Sequence, residues 1–142
     1  MKNRAALLVA AAVIHRDGQI LVGQRLKDAR HPYKWEFPGG KVEHGESPQQ
    51  ALARELREEL EVNAKIGVEL ARYEHDYPGG NCVHLLFFAV HEFVGEPGAH
   101  EFEQIRWIDL ELLPSLDFLE GDLDFVKRLA RGDFALRLDP QP

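Results

Sequence analysis

Apolar residues follow two different periods along this chain. From Ala5 to Ile14 they run almost unbroken, pause at His15-Arg16-Asp17-Gly18, and resume at Ile20-Leu21-Val22. Two such runs flanking Asp-Gly predict a β-hairpin, because both central turn residues need positive φ. Strands are expected over 5–15 and 19–25, followed by a polar loop over 26–34. Trp35-Glu36-Phe37 reads as a short extended piece, broken by Pro38-Gly39-Gly40; Gly45-Glu46 marks another turn.

The period then changes to that of a helix. Ala51, Leu52, Leu56 and Leu60 form an apolar stripe. Ser47 is placed to cap it, Pro48 suits the first helical position, and Gln50 completes a capping box. A helix over 48–60 is expected, with Leu52, Leu56 and Leu60 inward and Glu55, Glu58 and Glu59 toward the other side. Strand patterns return over 65–77 and 81–94, joined by Pro78-Gly79-Gly80-Asn81, and again over 103–109. One helical turn is expected over 109–113 and a last helix over 121–131. Residues 133–142 read as a frayed tail of a single domain spanning 1–142. Strands outnumber helices, which suggests an α+β fold: a mixed sheet covered by helices.

The first apolar run has a rival reading. Lys2 and Arg4 before Ala5–Ile14 mimic a short signal peptide. The hairpin reading is preferred, and the run is too short to span a bilayer, which takes about 20 residues. No membrane association is expected.

Charge narrows the partners. The formal net charge is −7, which argues against stable binding to nucleic acid but not against a free nucleotide screened by metal ions. Cys82 is the single cysteine, so an intramolecular disulfide is excluded; a reducing, cytoplasmic setting is expected. The seven histidines show no His-x-x-x-His spacing and no partner cysteines, so no zinc site is expected. Ser47 and Ser115 are not in a nucleophile elbow, and no phosphate-binding P-loop is present.

The chemistry concentrates at residues 40–62. Glu55, Glu58 and Glu59 stand at i, i+3 and i+4, on one helix face. Like charges so placed repel, and the natural use of such a cluster is to hold a hard divalent cation through oxygen. The spacing Gly40-x5-Glu46-x7-Arg54-Glu55-Leu56-x-Glu58-Glu59-x-x-Val62 resembles the signature of the Nudix hydrolases. Trp35-Glu36-Phe37-Pro38-Gly39-Gly40-Lys41 looks like the MutT-type branch, and Ala99-His100-Glu101 with Asp122 looks like the related CTP-type pyrophosphohydrolases.

This resemblance implies an α/β/α sandwich around a mixed sheet. It implies Mg²⁺-dependent hydrolysis of a (deoxy)nucleoside triphosphate to monophosphate and pyrophosphate, with Mn²⁺ as a substitute metal and water attacking the β-phosphorus. An oxidised or modified nucleotide such as 8-oxo-dGTP, or CTP and dCTP, is the implied substrate. Gly40, Glu55, Glu58, Glu59 and Glu101 are assigned to the metal by the resemblance. Glu46, Arg54, Glu58 and Glu101 are assigned to catalysis, with Glu103 competing with Glu101. Arg25, Phe37, Gly39, Gly40, Lys41 and Asp122 are assigned to substrate, with Leu7, Val9 and Val83 lining a base pocket. Asp122 has a second reading as a helix cap. Other nucleoside diphosphate compounds (dinucleoside polyphosphates, ADP-ribose, nucleotide sugars) and a non-enzymatic binding module stay open, as do monomer and homodimer.

One position departs from the pattern. Glu61 stands where the family usually has glycine. The expectation is that the helix runs on and Asn63 takes the left-handed conformation.

Overall fold

The computed structural model describes residues 6–80 and 82–136. Residues 1–5, including Lys2, Arg4 and the expected strand start at Ala5, lie outside the described residues, as do Asn81 of the expected turn and the tail from 137.

The hairpin forms as its sequence dictates. β1 (Ala6–Arg16) and β2 (Gln19–Gln24) are joined by Asp17 and Gly18 at φ 53° and 79°. The strands pair only at His15↔Ile20 and Arg16↔Gln19, then diverge. Into the opening on β1 comes β4 (Gly39–Lys41), with Ala11↔Gly39 and Val9↔Lys41. On the other side β2 pairs with β3 (Trp35–Glu36) and with β9 (Gln104–Asp109). Gly39 is required here. A Cβ on it would lie 2.1 Å from the carbonyl oxygen of Ala10, which no real side chain tolerates.

Two further strands extend the sheet. β6 (Glu69–Asp76) and β7 (Cys82–Val90) are antiparallel, and β7 runs parallel to β1 along nine register pairs from Ala6↔Cys82 to Ile14↔Val90. From Leu85 to Val90, β7 is apolar and buried on both faces because helices cover both, as expected of a parallel-paired central strand. The single strands expected over 65–77 and 81–94 are each split. β5 (Asn63–Lys65) and β8 (Glu92–Val94) leave the main sheet and pair with each other.

One sheet face is covered by α1 (Pro48–Leu60), whose Leu52, Leu56 and Leu60 are fully buried against Ile14, Leu86 and Phe88. The other face is covered by α2 (Leu123–Ala130), preceded by 3₁₀ turns at Leu110–Ser115 and Glu120–Asp122. Its Phe125 stacks on Phe87 with ring centroids 3.9 Å apart. Phe134 and Leu136, in the stretch expected as a frayed tail, pack against this second core.

The start of α1 follows the capping box. Gln50 donates its backbone N–H to Ser47 Oγ at 3.1 Å, and Ser47 donates its own to Gln50 Oε1 at 2.9 Å. Such a cap contributes about 1 kcal/mol. The end of α1 corrects the sequence expectation. Glu61 itself is left-handed, at φ 58° and ψ 39°, while Asn63 already begins β5. The chain must turn at once to send Val62 into the core, where it is 1% exposed. Glu61→Gly is therefore expected to raise unfolding free energy by about 1 kcal/mol, the steric cost of a Cβ in this region. Urea unfolding with an unchanged m-value is the check.

Candidate active site

Arg54 organises the charged cluster. Its Nε and Nη2 donate to the two carboxylate oxygens of Glu46 at 2.7 and 3.0 Å. Nη1 donates to Glu55 at 3.2 Å and to Glu58 at 3.1 Å, and Nη2 also reaches the carbonyl of Lys41 at 3.1 Å. One guanidinium thus ties the loop of Gly45 to α1 and β4, as its five fixed donors allow. The Arg54 hydrogen bonds hold the Glu46 carboxyl down to about 2, helped by the backbone N–H of Glu43. Glu46 is a weak base for that reason, and its observed work is to fix Arg54.

Glu55 and Glu59 sit differently. Gly40 packs flat on Glu55, and a Cβ there would lie 2.4 Å from the carboxyl carbon. Burial raises the Glu55 pKa, opposed by Arg54 and reinforced by Glu58 and Glu101. The expectation that Glu59 faces away from the core with Glu55 and Glu58 is corrected. Glu59 is only 9% exposed, because its carboxylate turns under β4 to accept the Gly39 N–H at 2.9 Å. Burial first, then the Glu36 charge, push it up to about 9 against that hydrogen bond. Glu58 is half exposed at the rim. Glu101 is exposed on the loop before β9, and its charge bears on both Glu55 and Glu59. Glu103 points elsewhere, accepting from the backbone N–H of Lys27 at 3.2 Å.

Glu59 is also a wall of a cavity of about 440 Å³. Its lining includes Gly39, Gly40 and Lys41, the apolar Leu7, Val9, Phe37, Val83, Leu85 and Leu119, and Asp122. The expected substrate residues Arg25, Phe37, Gly39, Gly40, Lys41 and Asp122 therefore share one cavity. Arg25 is held there by donating to Glu36 at 3.0 Å and to the Arg30 carbonyl at 2.7 Å. Asp122 is 5% exposed and makes no capping hydrogen bond. Burial, then Glu36, raise its carboxyl to about 8, opposed by Arg25.

The lining residues that sequence reasoning missed include Glu36 and Tyr77. Glu36 feels Arg25 directly, and its charge bears on both Glu59 and Asp122. Its signal was its place beside Phe37 in the segment before the glycines. Tyr77 accepts the Gly121 N–H on its hydroxyl at 3.1 Å; it follows the end of β6, and no local pattern marks it.

A family model described as the NUDIX domain matches residues 6–129. The chain belongs to the Nudix family. It is 44% identical over 103 residues to a CTP pyrophosphohydrolase of Escherichia coli, covering 72% of this chain and 76% of that one. To an 8-oxo-dGTP diphosphatase of Haemophilus influenzae it is 34% identical over 128 residues, 89% of this chain and 93% of the other. The solution structure of the E. coli ORF135 protein superposes with a TM-score of 0.79 at 37% identity, covering 87% and 88% of the two chains. Nudix hydrolases generally depend on a divalent metal. The donor set here fits one: the carboxyls of Glu55 and Glu59, raised by burial first and then by neighbouring carboxylates, are oxygen donors whose charge a hard cation would neutralise. Among the described residues no helix is long and apolar enough to cross a membrane.

Proposed function

We propose that this Nudix enzyme hydrolyses a nucleoside triphosphate to the monophosphate and pyrophosphate, with Mg²⁺ as its metal. The observation that carries the reading is continuity. One cavity is lined by Glu59 of the carboxylate cluster, by the apolar side chains Leu7, Val9, Phe37, Val83 and Leu85, and by the buried Asp122. A triphosphate needs the metal-binding carboxylates, and a nucleobase needs the apolar walls with a polar group to read it. The names of the E. coli and H. influenzae relatives support the same substrate class.

Glu55, Glu58 and Glu59 would hold the metal, which supplies charge neutralisation of the polyphosphate and a more acidic bound water. The chain's own residues do the rest. Arg54 fixes Glu55 and Glu58, and Glu46 fixes Arg54. Lys41 and Arg25 face the phosphate path with positive charge. Glu101, exposed and near the cluster, takes the proton of the attacking water. Attack at the β-phosphorus breaks its bond to the bridging oxygen, which departs on the nucleoside monophosphate; the β- and γ-phosphates leave together as pyrophosphate.

Asp122 sets the base. A carboxyl raised to about 8 is largely protonated near neutral pH, so it offers a base one donor and one acceptor. The test is a panel of dCTP, 5-methyl-dCTP, CTP, 8-oxo-dGTP, dGTP and ADP-ribose ranked by kcat/KM, read as pyrophosphate release. Triphosphates are expected to lead. Asp122→Asn, which keeps a donor and an acceptor but cannot ionise, is expected to reorder the bases by about tenfold or more, while leaving metal affinity unchanged. Preference for ADP-ribose, or no pyrophosphate from any triphosphate, would overturn the reading.

A further inference from the structure

The reverse face of β7 carries a second set of metal-ligating side chains. Val83 and Leu85 point into the nucleotide cavity. Cys82 and His84, alternating with them, occupy the opposite face. The β6–β7 register places Glu74 directly across from His84 and Asp76 across from Cys82. This is the α1 side of the sheet, beyond the reach of the helix. Leu8, the neighbour of His84 on β1, is 37% exposed there. One ligand atom from each of Glu74, Cys82 and His84 lies within 4.8 Å of the other two, and His84 Nε2 stands 3.8 Å from Glu74 Oε1.

We propose that Glu74, Cys82 and His84 form a second metal site, for a borderline-soft divalent ion of the zinc class, separate from the carboxylate cluster of α1. Zinc bonds of about 2.0–2.3 Å at tetrahedral angles put ligand atoms roughly 3.5 Å apart. The observed separations, within 4.8 Å, are longer by at most about 1.3 Å, within reach of a side-chain rotation at the exposed Glu74 and half-buried His84. A thiolate and an imidazole select zinc or cobalt over magnesium, which prefers oxygen alone. Asp76 lies on the same face as Glu74, across from Cys82 in the register. The sequence expectation of no zinc site rested on local spacing, whereas strand pairing assembles these donors across the turn.

The single cysteine makes the test specific. Co²⁺ is titrated into the reduced, full-length protein, with excess Mg²⁺ present to occupy the carboxylate cluster. A thiolate-to-cobalt charge-transfer band saturating at one equivalent, displaced by Zn²⁺, is expected, at an unchanged molecular mass by size-exclusion chromatography. Cys82→Ser is expected to abolish the band, and His84→Ala and Glu74→Gln to weaken cobalt affinity about tenfold or more. Absence of the band in the wild-type protein would overturn the proposal without recourse to any variant. So would a band that grows only as a cysteine-bridged dimer forms, or one unaffected by both His84→Ala and Glu74→Gln. Pyrophosphate release plays no part in the readout, so its outcome does not depend on the nucleotide assignment.

Discussion

Replacing Glu59 or Glu58 with glutamine is expected to lower kcat by about three orders of magnitude, or about 4 kcal/mol of transition-state stabilisation. The two positions reach this result by different routes. Glu58 is half exposed and paired with Arg54 at 3.1 Å, so its loss removes a ready anionic ligand. Glu59 is buried under β4 and accepts from the Gly39 N–H. Glutamine can keep that hydrogen bond through its own carbonyl oxygen, so the fold survives while the negative charge needed by a cation is gone. Steady-state turnover at saturating Mg²⁺ and substrate measures the effect, with circular dichroism confirming the fold. Near-normal kcat in both variants would remove the metal-binding role from this helix face.

The metal-free protein should lose stability as pH rises from about 5 to 9, and a divalent cation should restore it. Glu59 has an ordinary pKa of 4.5 and is pushed up to about 9 in the folded chain; Asp122 moves from 3.8 to about 8. Over those intervals the native state binds the more protons, so ΔG of unfolding falls with pH. The contribution is whole below the unfolded pKa values and is lost as pH passes through the folded ones. Glu46 has the opposite sign. Its carboxyl is held down to about 2, so its contribution is present above its ordinary value of 4.5 and vanishes only in acid. Stability of the metal-free protein is therefore expected to peak near pH 5. The fall above that pH should be of the order of several kcal/mol by pH 9, since a tenfold difference in proton affinity between the folded and unfolded chain is worth about 1.4 kcal/mol. Thermal unfolding in chelator across this range is the check. Glu59→Gln should flatten much of the slope, and added Mg²⁺ should raise Tm more at pH 9 than at pH 6. An equal slope in wild type and Glu59→Gln would place the burden on other groups.

Much of the frame was legible because it is local. Asp17-Gly18 favours a tight hairpin turn, and Ser47 with Gln50 marks a helix start. The spacing of Gly40, Glu46, Arg54, Glu55, Glu58 and Glu59 is a pattern within one loop and one helix, so it survived intact into the site. Local reasoning failed where two distant segments meet. It gave 5–15 and 19–25 as hairpin partners, but β4 enters after two pairs because Gly39 can press against the Ala10 carbonyl. It sent Glu59 outward, since helical spacing cannot show that β4 lies over that side chain. It passed the left-handed turn to Asn63, since nothing local reveals how abruptly Val62 must enter the core.

What the sequence determined by itself was the type of most elements, the capped helix and the identity of the acidic groups. Burial was decided by tertiary structure alone. The residues Glu36, Glu59 and Asp122 stand far apart along the chain, and their protonation depends on sheet and helices excluding water around all three. The meeting of Glu74 with Cys82 and His84 likewise depends on the β6–β7 register. Ionisation and ligand geometry are set by what surrounds a group within a few ångströms, and in a folded chain those neighbours are mostly remote in sequence.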